Sequence, residues 1–106
     1  MSWVDETADA DLIEHQFEVR LFLEQRSPTE FRECWGGGYT PQRVKGHIVG
    51  DGVEFDTASF VFNGPVGSVR GYYLLVDGRI RESESFEKPI PIATSGDRIE
   101  VMGRIE

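Results

Sequence analysis

Apolar and polar residues alternate with a period of two over most of the chain. Phe17, Val19, Leu21 and Leu23 alternate with Glu18, Arg20, Phe22 and Glu24, the pattern of a half-buried strand. Ser27-Pro28 ends that run. Residues 29–43 read as irregular, because Gly36-Gly37-Gly38 permits almost any backbone path and Thr40-Pro41 biases the chain to extended geometry. Residues 44–49 and 53–55 flank Gly50-Asp51-Gly52, a hairpin signal. Ala58, Phe60 and Phe62 alternate with Ser59, Val61 and Asn63 until Gly64-Pro65 breaks the strand. Residues 69–76 and 79–86 form a second hairpin across Asp77-Gly78, which suits a type I′ turn. Pro89 and Pro91 confine residues 88–93 to an edge or a connection. After Ser95-Gly96-Asp97, the residues Ile99, Val101, Gly103 and Ile105 alternate with Arg98, Glu100, Met102 and Arg104. Six to eight short strands without a long helix predict an all-β antiparallel sandwich, Ig-like or jelly-roll-like. Phe17, Val19, Leu21, Leu23, Phe60, Phe62, Ile99 and Val101 are its expected interior.

The second hairpin breaks the pattern. Its first strand, VRGYYLLV, is apolar on both faces, while its partner carries Arg79, Arg81, Glu82 and Glu84. A two-residue turn places Val76 opposite Arg79, Leu75 opposite Ile80, Leu74 opposite Arg81 and Tyr73 opposite Glu82. Tyr73, Leu75 and Ile80 are then expected against the core, and Tyr72, Leu74 and Val76 on the other face beside two arginines. Two accounts of that second face stand side by side. A loop such as residues 29–43 covers it, with arginine stems lying over the apolar strip. Otherwise it is a protein–protein interface built on Tyr72, Leu74, Val76, Arg79 and Arg81.

At 106 residues the chain has the length of one domain, and a single cysteine, Cys34, rules out an internal disulfide. No apolar run approaches the ~20 residues of a membrane-spanning helix. The first residues lack the basic start and apolar centre of a secretion signal, so the expectation is synthesis in the cytoplasm. Nineteen acids against eleven bases give a net charge of −8 without a basic cluster, which disfavours nucleic acid as a partner. Residues 1–15 read as an acidic N-terminal arm and residues 16–106 as the β-domain. The arm holds Asp5, Glu6, Asp9, Asp11 and Glu14, with no Lys or Arg, and residues 5–13 suit one or two helical turns. It reads either as a solvated tail or as an arm that docks on a basic partner surface, with Trp3 as apolar anchor.

Candidate chemistry changes this picture little. His15 and His47 are the only imidazoles, and Cys34 would need an adjacent base to act as a nucleophile. No nucleophile elbow, phosphate loop or zinc-protease helix motif occurs, so no catalytic residue is assigned. Asp51, Glu54 and Asp56 place three carboxylates within six residues, but without the spacing of a calcium loop, and no metal or cofactor is expected. Glu82 and Glu84 fall roughly 6 to 7 Å apart on one strand face, as any alternating glutamates do.

The order of these features resembles a group of small all-β proteins encoded among the virion genes of tailed bacteriophages. The residues that carry it are an early strand, Gly38-Tyr39, a Phe-rich strand before Gly64-Pro65, and Val69-Arg70-Gly71-Tyr72-Tyr73 with Asp77-Gly78. They continue with Glu84-Ser85-Phe86 and the closing Gly96-Asp97-Arg98-Ile99-Glu100-Val101. The chain departs from the group after the hairpin, where Arg81-Glu82-Ser83 stands in place of an aromatic. The resemblance implies a non-enzymatic virion structural protein, foremost a capsid decoration (cement) protein that binds the major capsid protein or another virion protein. Homo-oligomers, trimers among them, are an expectation by analogy of fold. The alternative is a tail- or fibre-associated module that binds carbohydrate, for which Trp35 and Tyr39 are the candidate stacking aromatics.

Overall fold

A computed structural model describes residues 15–50 and 52–105. Among them the chain forms nine strands: β1 (His15–Ser27), β2 (Glu30–Glu33), β3 (Gln42–Val49), β4 (Gly52–Phe55), β5 (Ala58–Val61), β6 (Gly67–Val76), β7 (Arg79–Ile92), β8 (Arg98–Val101) and β9 (Arg104–Ile105). The large sheet runs β7-β6-β1-β3-β4-β9, with β2 also on β1, and β5-β8 form a two-stranded second sheet. Every pairing is antiparallel. The expected all-β architecture is present. Its strands are less uniform than expected, since β1, β6 and β7 reach 13, 10 and 14 residues. β1 begins at His15, one residue inside the expected arm, and the rest of that arm, where the helical turns were expected, lies outside the described residues.

The core lies where the inner faces of the two sheets meet. β1 contributes Phe17, Val19 and Leu21, β5 and β8 contribute Phe60, Ile99 and Val101, and Phe62 follows β5, all with no more than 3% exposure. Leu23 is only partly buried, packed at the margin of this cluster. Burial of such side chains at ~25 cal/mol per Å² is the main stabilising term in a chain without disulfides.

β6 corrects the expected faces. Phe17 pairs with Val76, Val19 with Leu74 and Leu21 with Tyr72. Residues directly opposite in an antiparallel pair share a face, so Tyr72, Leu74 and Val76 point inward with the β1 core residues. Leu74 is fully buried, Tyr72 is 4% exposed, and Val76 packs against the cluster. This face is interior to the chain and offers no apolar strip to a partner. The outward face carries Tyr73 and Leu75, and residues 29–43, expected over the other face, cover Tyr73 here. Within that stretch the sequence Glu30-Phe31-Arg32-Glu33 is strand β2, not irregular chain. Its Phe31 stacks on Tyr73 at 4.3 Å, with ring planes 5° apart, and lies 5.1 Å from Phe22. Phe22, expected on the wet face, is therefore buried as well.

The β6–β7 turn has the expected backbone, with Asp77 at φ 52° and Gly78 at φ 87°. Val76 opposite Arg79 and Leu75 opposite Ile80 are also as expected. Leu74 then faces Glu82 and Tyr73 faces Ser83, because a bulge leaves Arg81 unpaired and shifts the register by one. A second irregularity absorbs residues 86–89, and Pro89 and Pro91 sit on β7 at the edge of the sheet.

Candidate functional site

Two surfaces concentrate what the fold leaves unused. The first is the loop after β2. Cys34 enters the core at 2% exposure, and its N–H donates to the Leu21 carbonyl at 2.8 Å. The next residue, Trp35, is 69% exposed. Gly36, Gly37 and Gly38 follow with φ of 79°, 55° and 77°, a left-handed run open to glycine at little cost. This loop is clamped rather than loose. Tyr39 N–H donates to the Gly36 carbonyl at 2.9 Å, and Asn63 N–H to the Gly37 carbonyl at 2.8 Å. A Cβ on Gly37 would lie 2.5 Å from Val66 and 2.6 Å from the Gly64 oxygen. The backbone beside Trp35 is thus held against residues 63–66 while its indole stands in water.

The two stacking candidates separate here. Trp35 is on the surface, but Tyr39 is a structural residue, stacked on Phe60 with ring centroids 6.0 Å apart. β1 changes partner on one edge, from β3 at Val19 to β2 at Phe22. Tyr39 fills the gap: its hydroxyl accepts from Leu21 N–H at 3.2 Å and donates to Glu33 at 2.7 Å.

Burial and the neighbouring Glu33 charge push the Cys34 thiol up to about 11. It should therefore resist a disulfide reagent at pH 8 in the native domain and react at once in denaturant; equal rates in both would place it at the surface. Burial, with nearby glutamates, likewise raises Tyr39 and Tyr72 well above the ordinary tyrosine value. Tyr73 is also raised, by burial, although its contact with Arg20 opposes the shift. A phenol harder to ionise when folded contributes stability that is complete below pH ~10 and lost as pH rises beyond it. The urea midpoint should accordingly fall between pH 9 and 11, and fall less in Tyr39→Phe. A flat profile would contradict this.

The second surface is the outward face of the large sheet. Glu18 sits between Arg20 and Arg43, the latter at 3.6 Å, and Arg20 also reaches Glu33 at 3.5 Å. Burial opposes the charge on Arg20, yet contacts to Glu18, Tyr73 and Glu33 outweigh it and raise its pKa. Further along, Glu54 takes His47 at 3.2 Å and Arg104 at 3.7 Å. Such half-exposed pairs contribute ~0–1 kcal/mol each, so their order across the face matters more than their strength. Of the three nearby acidic residues, Glu54 holds these two partners, Asp56 is exposed and Asp51 lies outside the described residues.

Cys34 and His47 are not brought together, since one lies in the core and the other on the outward face. Glu84 accepts from the Tyr72 hydroxyl at 3.4 Å. Arg79 and Arg81 are exposed at the hairpin tip, and Trp3 lies outside the described residues. No group of three His, Cys, Asp or Glu among the described residues is gathered for a metal, and no described helix is long and apolar enough to cross a membrane. No family model matches the chain, and neither the curated proteins nor the solved structures contain a significant match to it.

Proposed function

We propose that this chain is a non-enzymatic structural protein that docks on a larger protein assembly through Trp35, in the role of a capsid decoration protein. The observation that carries this reading is an indole left 69% exposed on a backbone clamped by hydrogen bonds and glycine contacts. Tryptophan is enriched at binding hot spots, and with 69% of its surface exposed Trp35 has about 100–170 Å² left to bury in a partner pocket. At ~25 cal/mol per Å² that is about 2.5 to 4 kcal/mol of gross driving force. A loop already fixed gives up little of it to ordering. The virion setting rests on the sequence resemblance, and the major capsid protein is the proposed partner.

The second reading, a tail- or fibre-associated carbohydrate module, draws on the same indole. It is weaker because Tyr39, the other expected stacking ring, is packed on Phe60. One experiment separates the two. The purified chain is incubated with shells assembled from the major capsid protein proposed as its partner, and separately with tail fibres and oligosaccharides. Saturable binding to shells at a fixed ratio per lattice site, with none to sugars, is the expected result. Sugar binding without shell binding would overturn the proposal in favour of the second reading.

A further inference from the structure

The outward face of the large sheet holds a groove of about 400 Å³ across β3, β1 and β6. Gln16, Glu18 and Arg20 of β1, Arg43 and Lys45 of β3, and Leu75 of β6 line it. Three cations line it: Arg20 is held by Glu18 and Glu33, Arg43 lies beside Glu18, and Lys45 stands next along β3. The Asp77 carboxylate accepts from the Gln16 N–H. The Arg43 side chain is 82% exposed, with Glu18 at 3.6 Å, and Lys45 is exposed. The groove therefore presents two exposed cations, Arg43 and Lys45, beside an apolar floor at Leu75.

We propose that this groove is the docking site of the acidic segment 1–14 of the same chain. That segment lies outside the described residues, and three observations assign it to the groove. Its charge is complementary: Asp5, Glu6, Asp9, Asp11 and Glu14 face no Lys or Arg within it. Its apolar residues, Trp3, Val4, Leu12 and Ile13, suit the floor. Its attachment point is at the groove itself, since it joins β1 at His15, next to Gln16. Fourteen residues reach up to ~46 Å, against ~10 Å for the span of three strands, so length does not limit the fit. A direct tether also gives an effective concentration in the millimolar range, which a separate acidic segment would have to exceed. Long-range screening weakens such contacts between charges as salt is added.

This inference is independent of the partner proposed for Trp35. It differs from the expectation that the acidic segment grips a basic surface elsewhere, because the basic surface is on this chain. The test uses the full chain carrying Trp35→Phe, in which Trp3 is the only indole. Acrylamide quenching of Trp3 should be severalfold weaker in this chain than in the same chain with Arg43→Ser and Lys45→Ser. It should rise toward the level of that variant in 1 M salt, where the Debye length is ~3 Å, and it should not depend on protein concentration. Arg43 and Lys45 are exposed, so an unchanged thermal midpoint certifies that the variant is folded. Equal quenching in the two chains would overturn the proposal. So would protection that grows with protein concentration, which would assign the segment to the groove of a second copy.

Discussion

Leu74→Asp should unfold the isolated domain. Leu74 is fully buried, paired with Val19 on the core face and next in that row to Tyr72. A carboxylate there meets no cation, and an unpaired buried charge costs several kcal/mol, comparable with the ~5–15 kcal/mol that holds a domain together. Leu74→Ala, which only removes volume, should cost about 2 to 5 kcal/mol. Urea unfolding followed by circular dichroism reads both variants. A folded Leu74→Asp domain with an unchanged midpoint would restore this face as an exposed interface.

Gly103→Ala should be the second severe change, for a different reason. A Cβ at residue 103 would stand 1.5 Å from the Phe55 carbonyl oxygen and 2.7 Å from its carbon. Both are backbone atoms, so no rotamer change relieves the clash. Phe55 N–H donates to the Gly103 carbonyl at 2.7 Å, which holds the two segments at that separation. Relief requires moving β9, which pairs Ile105 with Val53 and Arg104 with Glu54 and buries Ile105 to 8% exposure. The expected loss is about 3 kcal/mol or more, at the upper end for overpacking. Gly36→Ala is the control: its Cβ meets no atom within 4 Å, so only the left-handed φ of 79° is penalised, by about 1 to 2 kcal/mol. Equal midpoints for the two variants would contradict the contact at Phe55.

The comparison of β1 with β6 shows how much of this was legible beforehand. The β1 periodicity identified Phe17, Val19 and Leu21 as interior, because a strand with one wet face writes its orientation into the alternation. β6 is apolar on both faces and carries no such mark. Its orientation is set by pairing with β1, a contact between residues 49 to 59 apart in sequence that no local pattern reveals. The Asp77-Gly78 turn was readable from its two residues, but the bulge at Arg81, which shifts every pairing beyond it, was not. β2 was missed because four residues with two glutamates and an arginine look like a polar loop, and only Phe31 hints at the cover it supplies. Of the candidate site, Trp35 was visible as an aromatic in a Gly-rich stretch. Its separation from Tyr39 was not, since the Tyr39 hydroxyl fills a gap created by a change of strand partners on β1.

The most direct test of the proposed docking role is the binding of Trp35→Ala to assembled shells, measured beside the unaltered chain. Trp35 is exposed, so the folding midpoint should stay within about 0.5 kcal/mol of the original. Affinity should fall by about thirtyfold or more, corresponding to the ~2 kcal/mol that defines a hot-spot residue. A folded Trp35→Ala protein that binds shells as tightly as the original would contradict the assignment of this loop as the anchor.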